Sequence, residues 1–113
     1  MRHAEVSALG RTISYMAGGE GSRDVLFLHG FGADRSTWMF TLPAVAGVAR
    51  VYALDLPGHG RSSTDVGTGE VPLLADVVRA AMDAMDLDRP HLVGHSLGAA
   101  IALEIAATEP GRV

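Results

Sequence analysis

His91-Leu92-Val93-Gly94-His95-Ser96-Leu97-Gly98 sets one serine between two glycines, after one short apolar run and before a longer one. His91 to Val93 reads as a strand. Ala99 to Ala107 is almost all apolar or alanine, the pattern of a helix buried on most sides, and Pro110 and Gly111 stop it. A serine at such a junction is lifted out of the backbone on a tight turn, the geometry of the G-x-S-x-G nucleophile elbow. Ser96 is therefore the candidate catalytic residue, although its hydroxyl is a weak nucleophile until a base takes its proton. The Leu97 N–H, at the start of the helix, is a candidate donor to the oxyanion formed on attack. Gly94 and Gly98 suit a turn too tight for side chains, and His95 completes the motif. The plainer alternative is a small residue filling a strand-to-helix turn, because the same spacing also arises by chance.

Upstream, Val25-Leu26-Phe27-Leu28 is a continuous apolar run, as a parallel-sheet strand buried on both faces requires. It ends in His29-Gly30-Phe31-Gly32, where paired glycines let backbone N–H groups turn towards a neighbouring strand. The Phe31 N–H is the second candidate oxyanion donor, with His29, Gly30 and Gly32 supporting its turn; an ordinary strand-to-helix connection is the alternative. Ser36 reads as the N-cap of a short helix carrying Trp38, Met39 and Leu42, with a break near Pro43. Trp38 is a candidate for the wall of an acyl or alkyl pocket, or else simple core.

Val51 to Leu54 is the next strand and leads into Asp55-Leu56-Pro57-Gly58-His59-Gly60-Arg61-Ser62-Ser63, a loop whose glycines and proline specify its shape. Asp55 is expected to cap that loop through backbone N–H groups, and His59 to play a turn or surface role. Pro72 can open a helix at its first position, with Leu73, Val77, Ala81 and Met85 as its stripe and Leu74 and Val78 widening it. Before all of this, Val6 to Leu9 and Arg11 to Met16 read as two short strands, and Gly18 to Ser22 as a turn cluster. Strands alternating with helices predict an α/β domain over residues 1–113, a mostly parallel sheet with helices on both faces.

Composition narrows the functional classes. At 113 residues the chain holds one domain, and 48% hydrophobic against 19% charged residues describes a globular protein. A net charge of −4 argues against nucleic-acid binding, and the partner expected is a small-molecule substrate. The absence of cysteine removes disulfides, thiolate chemistry and cysteine-ligated metal. No signal-like or membrane-spanning stretch is visible, so a cytoplasmic location without membrane association is expected. His91 and His95 fall on a strand and a turn, where they cannot pair as zinc ligands, and neither metal nor cofactor is expected. None of the five histidines is evidently placed to activate Ser96, and His3 lies near a terminus expected to fray. One rival is a dinucleotide site. Gly30-Phe31-Gly32-Ala33-Asp34-Arg35 begins like G-x-G-x-x-G, with Asp55 where a ribose-binding acid would stand, but Arg35 replaces the third glycine.

His29-Gly30-Phe31-Gly32, Asp55-Leu56-Pro57-Gly58-His59-Gly60-Arg61-Ser62 and Gly94-His95-Ser96-Leu97-Gly98-Ala99, in this order and spacing, resemble the α/β-hydrolase superfamily. The resemblance spans essentially the whole chain and the N-terminal part of that fold. It implies acyl transfer to water through an acyl-enzyme on Ser96, with the acid and histidine of the triad after later strands and assigned to no residue here. The chain is similar to hydrolases attached to acetoin dehydrogenase acyltransferase components, to C–C bond hydrolases, to esterases and to cofactor-free haloperoxidases. Serine at position 96 departs from the haloalkane dehalogenases, which use aspartate. A non-catalytic binding or sensor module on the same fold and a domain of an acyltransferase complex remain alternatives. These 113 residues alone are expected to turn over poorly. The strand His91 to Val93 is expected to present an open edge, which invites self-association.

Overall fold

A computed structural model describes all residues from Met1 to Val113. Strands β1 (Arg2–Ala8) and β2 (Arg11–Gly19) form an antiparallel hairpin closed by Leu9 and Gly10. Both turn residues are left-handed, at φ 51° and 78°, as a two-residue type I′ turn requires. β1 starts four residues earlier than its apolar pattern suggests, because Arg2 to Glu5 pair with Ala17 to Ser14 through their backbones. His3 therefore belongs to the sheet and not to a fraying end.

β2 also runs on through Gly18 and Gly19, which pair with Val51 and Arg50 of β4 (Arg50–Leu54). Of the cluster expected to make a turn, Gly18 and Gly19 extend the strand, while Gly21 and Ser22 do bend the chain before β3. Gly19, at φ 81°, leaves no room for a side chain against the Ala49 carbonyl.

β3 (Asp24–Leu28) pairs in parallel with β4 on one side and with β5 (His91–Gly94) on the other. The sheet order is β1-β2-β4-β3-β5, so three parallel strands carry an antiparallel pair along one side. β5 is an edge strand, as its sequence position suggested.

Helices cover both faces. α2 (Val71–Ala84) and α3 (Leu97–Thr108) lie over the larger core, where Leu26, Leu28 and Leu54 meet Val77, Val78, Met82, Ile101 and Ile105. The smaller α1 (Thr41–Ala46) packs on the other face, over Phe27, Val51 and Ala53. β3 thus sends alternate side chains into both cores, and each fully buried aliphatic chain contributes about 1.5–3 kcal/mol.

Four local readings are corrected. Asp34, not Ser36, caps the turn that follows β3: its carboxylate accepts the Ser36 N–H at 2.8 Å ahead of a short 3-10 helix at Arg35–Trp38. The helix break falls at Met39 and Phe40, before Pro43, which sits in the first turn of α1 where no intrahelical N–H is needed. Pro72 occupies the second position of α2, behind Val71, and the buried stripe is Leu74, Val77, Val78, Ala81 and Met82, with Leu73 and Met85 at its margins. α3 is not buried on most sides. Only Gly98, Ile101 and Ile105 are buried and Leu103 is 70% exposed, because α3 packs over the last strand in the sheet order and has a covered side only towards β3 and α2.

Candidate active site

The sheet reverses its chain order at β3, which lies between β4 and β5. In open α/β sheets the crevice beyond the strand ends at such a reversal is where ligands bind. The loop His29 to Gly32 leaves the end of β3 there, and the Ser96 turn leaves the end of β5. The His95 N–H donates to the Leu28 carbonyl at 3.0 Å, tying one turn to the other. A Cβ placed on Gly30 would lie 3.0 Å from His95 Nδ1 and 3.2 Å from Ser96 Cβ, so a side chain there would crowd the Ser96 turn. Two motifs more than sixty positions apart are one surface.

Ser96 has φ 55° and ψ −115°, a sparsely populated conformation for a residue with a side chain, costing about 1–3 kcal/mol. The surrounding backbone enforces it. Gly98 N–H donates to the His95 carbonyl and Ala100 N–H to the Ser96 carbonyl, both at 3.0 Å. A Cβ on Gly94 would stand 2.5 Å from the Gly98 carbonyl group, so β5 and α3 touch through their main chains. The Ser96 side chain is exposed and caps no helix amide. Leu97 begins α3, so its N–H belongs to the first turn, where amides lack partners within the helix and favour negative charge.

His29 is 0% exposed and organises the opposite wall. Its Nε2 accepts the Leu56 N–H at 3.0 Å, so the proton sits on Nδ1, which donates to the Gly30 carbonyl at 2.8 Å. Ala33 N–H donates to the same carbonyl at 3.1 Å. A trans peptide carries its C=O and N–H on opposite sides, so fixing the Gly30 oxygen turns the Phe31 N–H away from it. No backbone carbonyl accepts that N–H. The Phe31 ring itself is 83% exposed.

Burial lowers the His29 pKa, with the Gly30 hydrogen bond opposing, so the imidazole stays neutral where an exposed one would begin to charge. The unfolded chain then binds a proton at a higher pH than the folded one. Stability from this group is complete above about 6.5, the unfolded value, and declines as the pH falls below it. Urea midpoints measured from pH 8 down to 5 should fall below pH 6.5 and flatten in His29→Gln; a flat wild-type curve would refute this.

Asp55 caps the loop after β4 as expected, and does more. It is 1% exposed, and its carboxylate accepts the Arg61 N–H at 3.0 Å, the Arg35 N–H at 2.8 Å and the Ser14 hydroxyl at 3.1 Å. The Arg35 guanidinium lies 3.9 Å away and also donates to Ser14 Oγ at 3.1 Å, with His3 Nδ1 2.8 Å from the same nitrogen. This node joins β1, β2 and the loops after β3 and β4. It also leaves Asp55 turned inward and occupied, not presented to a ribose, with Arg35 filling the third glycine position of the dinucleotide pattern.

Trp38 packs against Phe27 with ring centroids 5.1 Å apart and planes tilted by 48°, partly buried on the α1-side core. Ser96 lines none of the surface cavities; its side chain stands exposed at the turn. No cluster of three histidines or carboxylates is placed to hold a metal ion. His59, expected in a turn or surface role, also bridges two loops: its Nε2 accepts the Gly32 N–H at 2.8 Å. The signal for this was its place between two glycines in a loop of fixed shape.

Residues 25–113 match the family model for the alpha/beta hydrolase fold. The chain belongs to the α/β-hydrolase fold family. It is 45% identical over 96 residues to the dihydrolipoyllysine-residue acetyltransferase component of an acetoin cleaving system from Pseudomonas putida, covering 85% of this chain and 26% of that protein. It is 38% identical over 106 residues to a 2-hydroxy-6-oxononadienedioate/2-hydroxy-6-oxononatrienedioate hydrolase from Pseudomonas putida, covering 89% of this chain and 37% of the relative. Among solved structures, a membrane phospholipase A described as a bacterial virulence factor superposes with a TM-score of 0.95 at 34% identity, covering 99% of this chain and 37% of that one. This α/β-hydrolase chain thus spans well under half the length of these relatives, which include hydrolases. No helix in it is long and apolar enough to cross a membrane.

Proposed function

We propose that this α/β-hydrolase chain carries the nucleophile and the oxyanion donors of a serine hydrolase acting on a small ester or other carbonyl substrate through an acyl-enzyme. The observation that carries this reading is the left-handed, exposed Ser96 held at the β5-to-α3 turn directly beside Gly30. Ser96 Oγ attacks the carbonyl carbon and gives its proton to a base. The tetrahedral oxyanion accepts from the Phe31 and Leu97 N–H groups. Collapse expels the leaving group, which takes up that proton; water then attacks the acyl group in the same way and frees Ser96.

The base is not among the five histidines of this chain. His29 and His59 have both ring nitrogens committed to backbone groups, His3 lies on β1 against Arg35, and His91 starts β5 at the far end from its turn. His95 adjoins Ser96 but shares no hydrogen bond with it. The base and its orienting acid then come from that part of the relatives' length which this chain does not match.

A fluorophosphonate probe is expected to label the chain slowly, at Ser96 alone, faster with rising pH, and not at all in Ser96→Ala, as read by intact mass and peptide mapping. Labelling that survives Ser96→Ala would overturn the assignment. p-Nitrophenyl acetate should turn over far below the roughly 1–1,000 per second of complete enzymes; wild-type turnover in that range, lost in Ser96→Ala, would place a working base within these residues.

A further inference from the structure

We propose that His59 is a positioning residue for the oxyanion loop: its neutral imidazole pins the Phe31–Gly32 peptide and so holds the Phe31 N–H towards Ser96. This rests on the oxyanion reading of Phe31 given above. His59 Nε2 takes the Gly32 N–H at 2.8 Å, and His59 Nδ1 lies 3.0 Å from the Pro57 carbonyl. A carbonyl can only accept, so the proton is on Nδ1 and Nε2 is free to accept. His29 has the same tautomer for the same reason, with Leu56 N–H on Nε2 and the Gly30 carbonyl on Nδ1.

The two imidazoles stand edge-on with centroids 5.0 Å apart, and the Phe31 ring packs edge-on against His59 at 5.7 Å. Each histidine fixes one of two successive peptides. His29 holds the Gly30 oxygen, which aims the Phe31 N–H. His59 holds the Gly32 N–H, which stops the next peptide from rotating and carrying Phe31 with it. Gly32 needs this restraint, since its φ of 79° is left-handed and nothing lies within 4 Å of where a Cβ would be. Apart from the Ala33-to-Gly30 hydrogen bond that closes the turn around it, the His59 contact is the one hydrogen bond on that peptide.

The clasp requires neutral rings. A protonated imidazole has two donors and no acceptor, so charging His59 would set Nε2–H against the Gly32 N–H. The charged groups facing His29 are Asp55, at the end of β4, and Asp34, in the loop after β3, both of which favour its cation, while His59 opposes it.

The test uses the uniformly 15N-labelled chain. A scalar coupling across the hydrogen bond between Gly32 N and His59 Nε2 is expected at pH 8, and its absence overturns the proposal. In His59→Leu the Phe31 and Gly32 amide signals should shift or broaden while Leu26 and Ile101 stay put. His59→Gln, which keeps an acceptor near the Nε2 position, should restore them. Unchanged Phe31 and Gly32 signals in His59→Leu overturn the proposal. Should His59→Leu not fold, wild type decides: lowering the pH must move the Gly32 and Phe31 amides with the same midpoint as the His59 ring, and amides that ignore that midpoint refute the clasp. Phenylboronic acid, whose Ser96 adduct would place an oxygen near Phe31 and Leu97, is expected to bind at least tenfold more weakly to His59→Leu than to wild type, with His59→Gln in between. Equal binding to His59→Leu and wild type counts against His59. Binding to wild type that survives Ser96→Ala instead overturns the nucleophile, and the coupling still decides His59 on its own.

Discussion

Gly98→Ala is expected to destabilise the protein by about 3 kcal/mol or more, at the upper end of what overpacking a native interior costs. A Cβ at position 98 would collide with the Leu28 carbonyl and stand 2.7 Å from the His29 oxygen. These are main-chain atoms at the end of a central strand, so no side chain can swing aside. Leu28 is further fixed by the His95 N–H at 3.0 Å, and β3 is hydrogen-bonded to β4 and β5. Relief would require α3 to lift from β3, which would expose Ile101 and Ile105. Gly111→Ala is the control, since nothing lies within 4 Å of its Cβ position and its φ is not left-handed. Thermal unfolding should place Gly98→Ala about 10 °C or more below wild type, with Gly111→Ala within a few degrees. Equal midpoints for the two variants would mean that the elbow is looser than its geometry implies.

That contrast marks what the sequence made legible. Gly94, Gly98 and Ser96 sit within five positions, and a tight strand-to-helix turn is a local demand that residues so close together can display. Val25 to Leu28 is legible for a similar reason: a strand covered on both faces must be apolar at every position, and Leu26 and Leu28 do face one core while Phe27 faces the other. Polar contacts between distant segments leave no such mark. The hydrogen bond from Gly32 to His59 joins residues 27 positions apart, and the pairing of Arg2 to Glu5 with β2 runs through backbone groups that any sequence supplies. Glycine is ambiguous for another reason. Gly18 and Gly19 read as a turn, but they lie in β2, and the freedom of Gly19 is used to bring that strand close to Ala49, a choice made by packing and not by local preference. The exposed side of α3 is likewise set by what stands next to β5, which no periodicity within α3 encodes.

Asp55→Ala is expected to cost about 3–5 kcal/mol, the range for removing one partner of a buried ionic pair, against a total of about 5–15 kcal/mol for a domain of ordinary stability. The carboxylate is the shared acceptor for the Arg35 and Arg61 amides and the Ser14 hydroxyl, and it lies 3.9 Å from the Arg35 guanidinium as an ion pair. Removing it strands the buried Ser14 hydroxyl and leaves the part-buried Arg35 and Arg61 amides without their acceptor, and an unsatisfied buried donor costs about 1–3 kcal/mol before relaxation. Asp55→Asn should fall between the two, because its amide oxygen can still accept one N–H while its NH2 must face another donor. The charge on Arg35 makes the loss non-additive. With Asp55 gone, Arg35 is a cation held against Ser14 and His3 without its counterion, so Arg35→Met should recover part of the stability in the double variant while costing stability alone. Urea unfolding of the four proteins measures this coupling, expected above about 1 kcal/mol for residues in one network. Additive losses, or an Asp55→Ala variant within 1 kcal/mol of wild type, would show that the node is filled by water and adds little. A large coupling would instead make Asp55 the joint on which both crevice loops hang. The Arg35 amide anchors the segment after Gly32 and the Arg61 amide anchors the segment after His59, so the carboxylate sets the distance between the two loops that meet at the Gly32–His59 hydrogen bond.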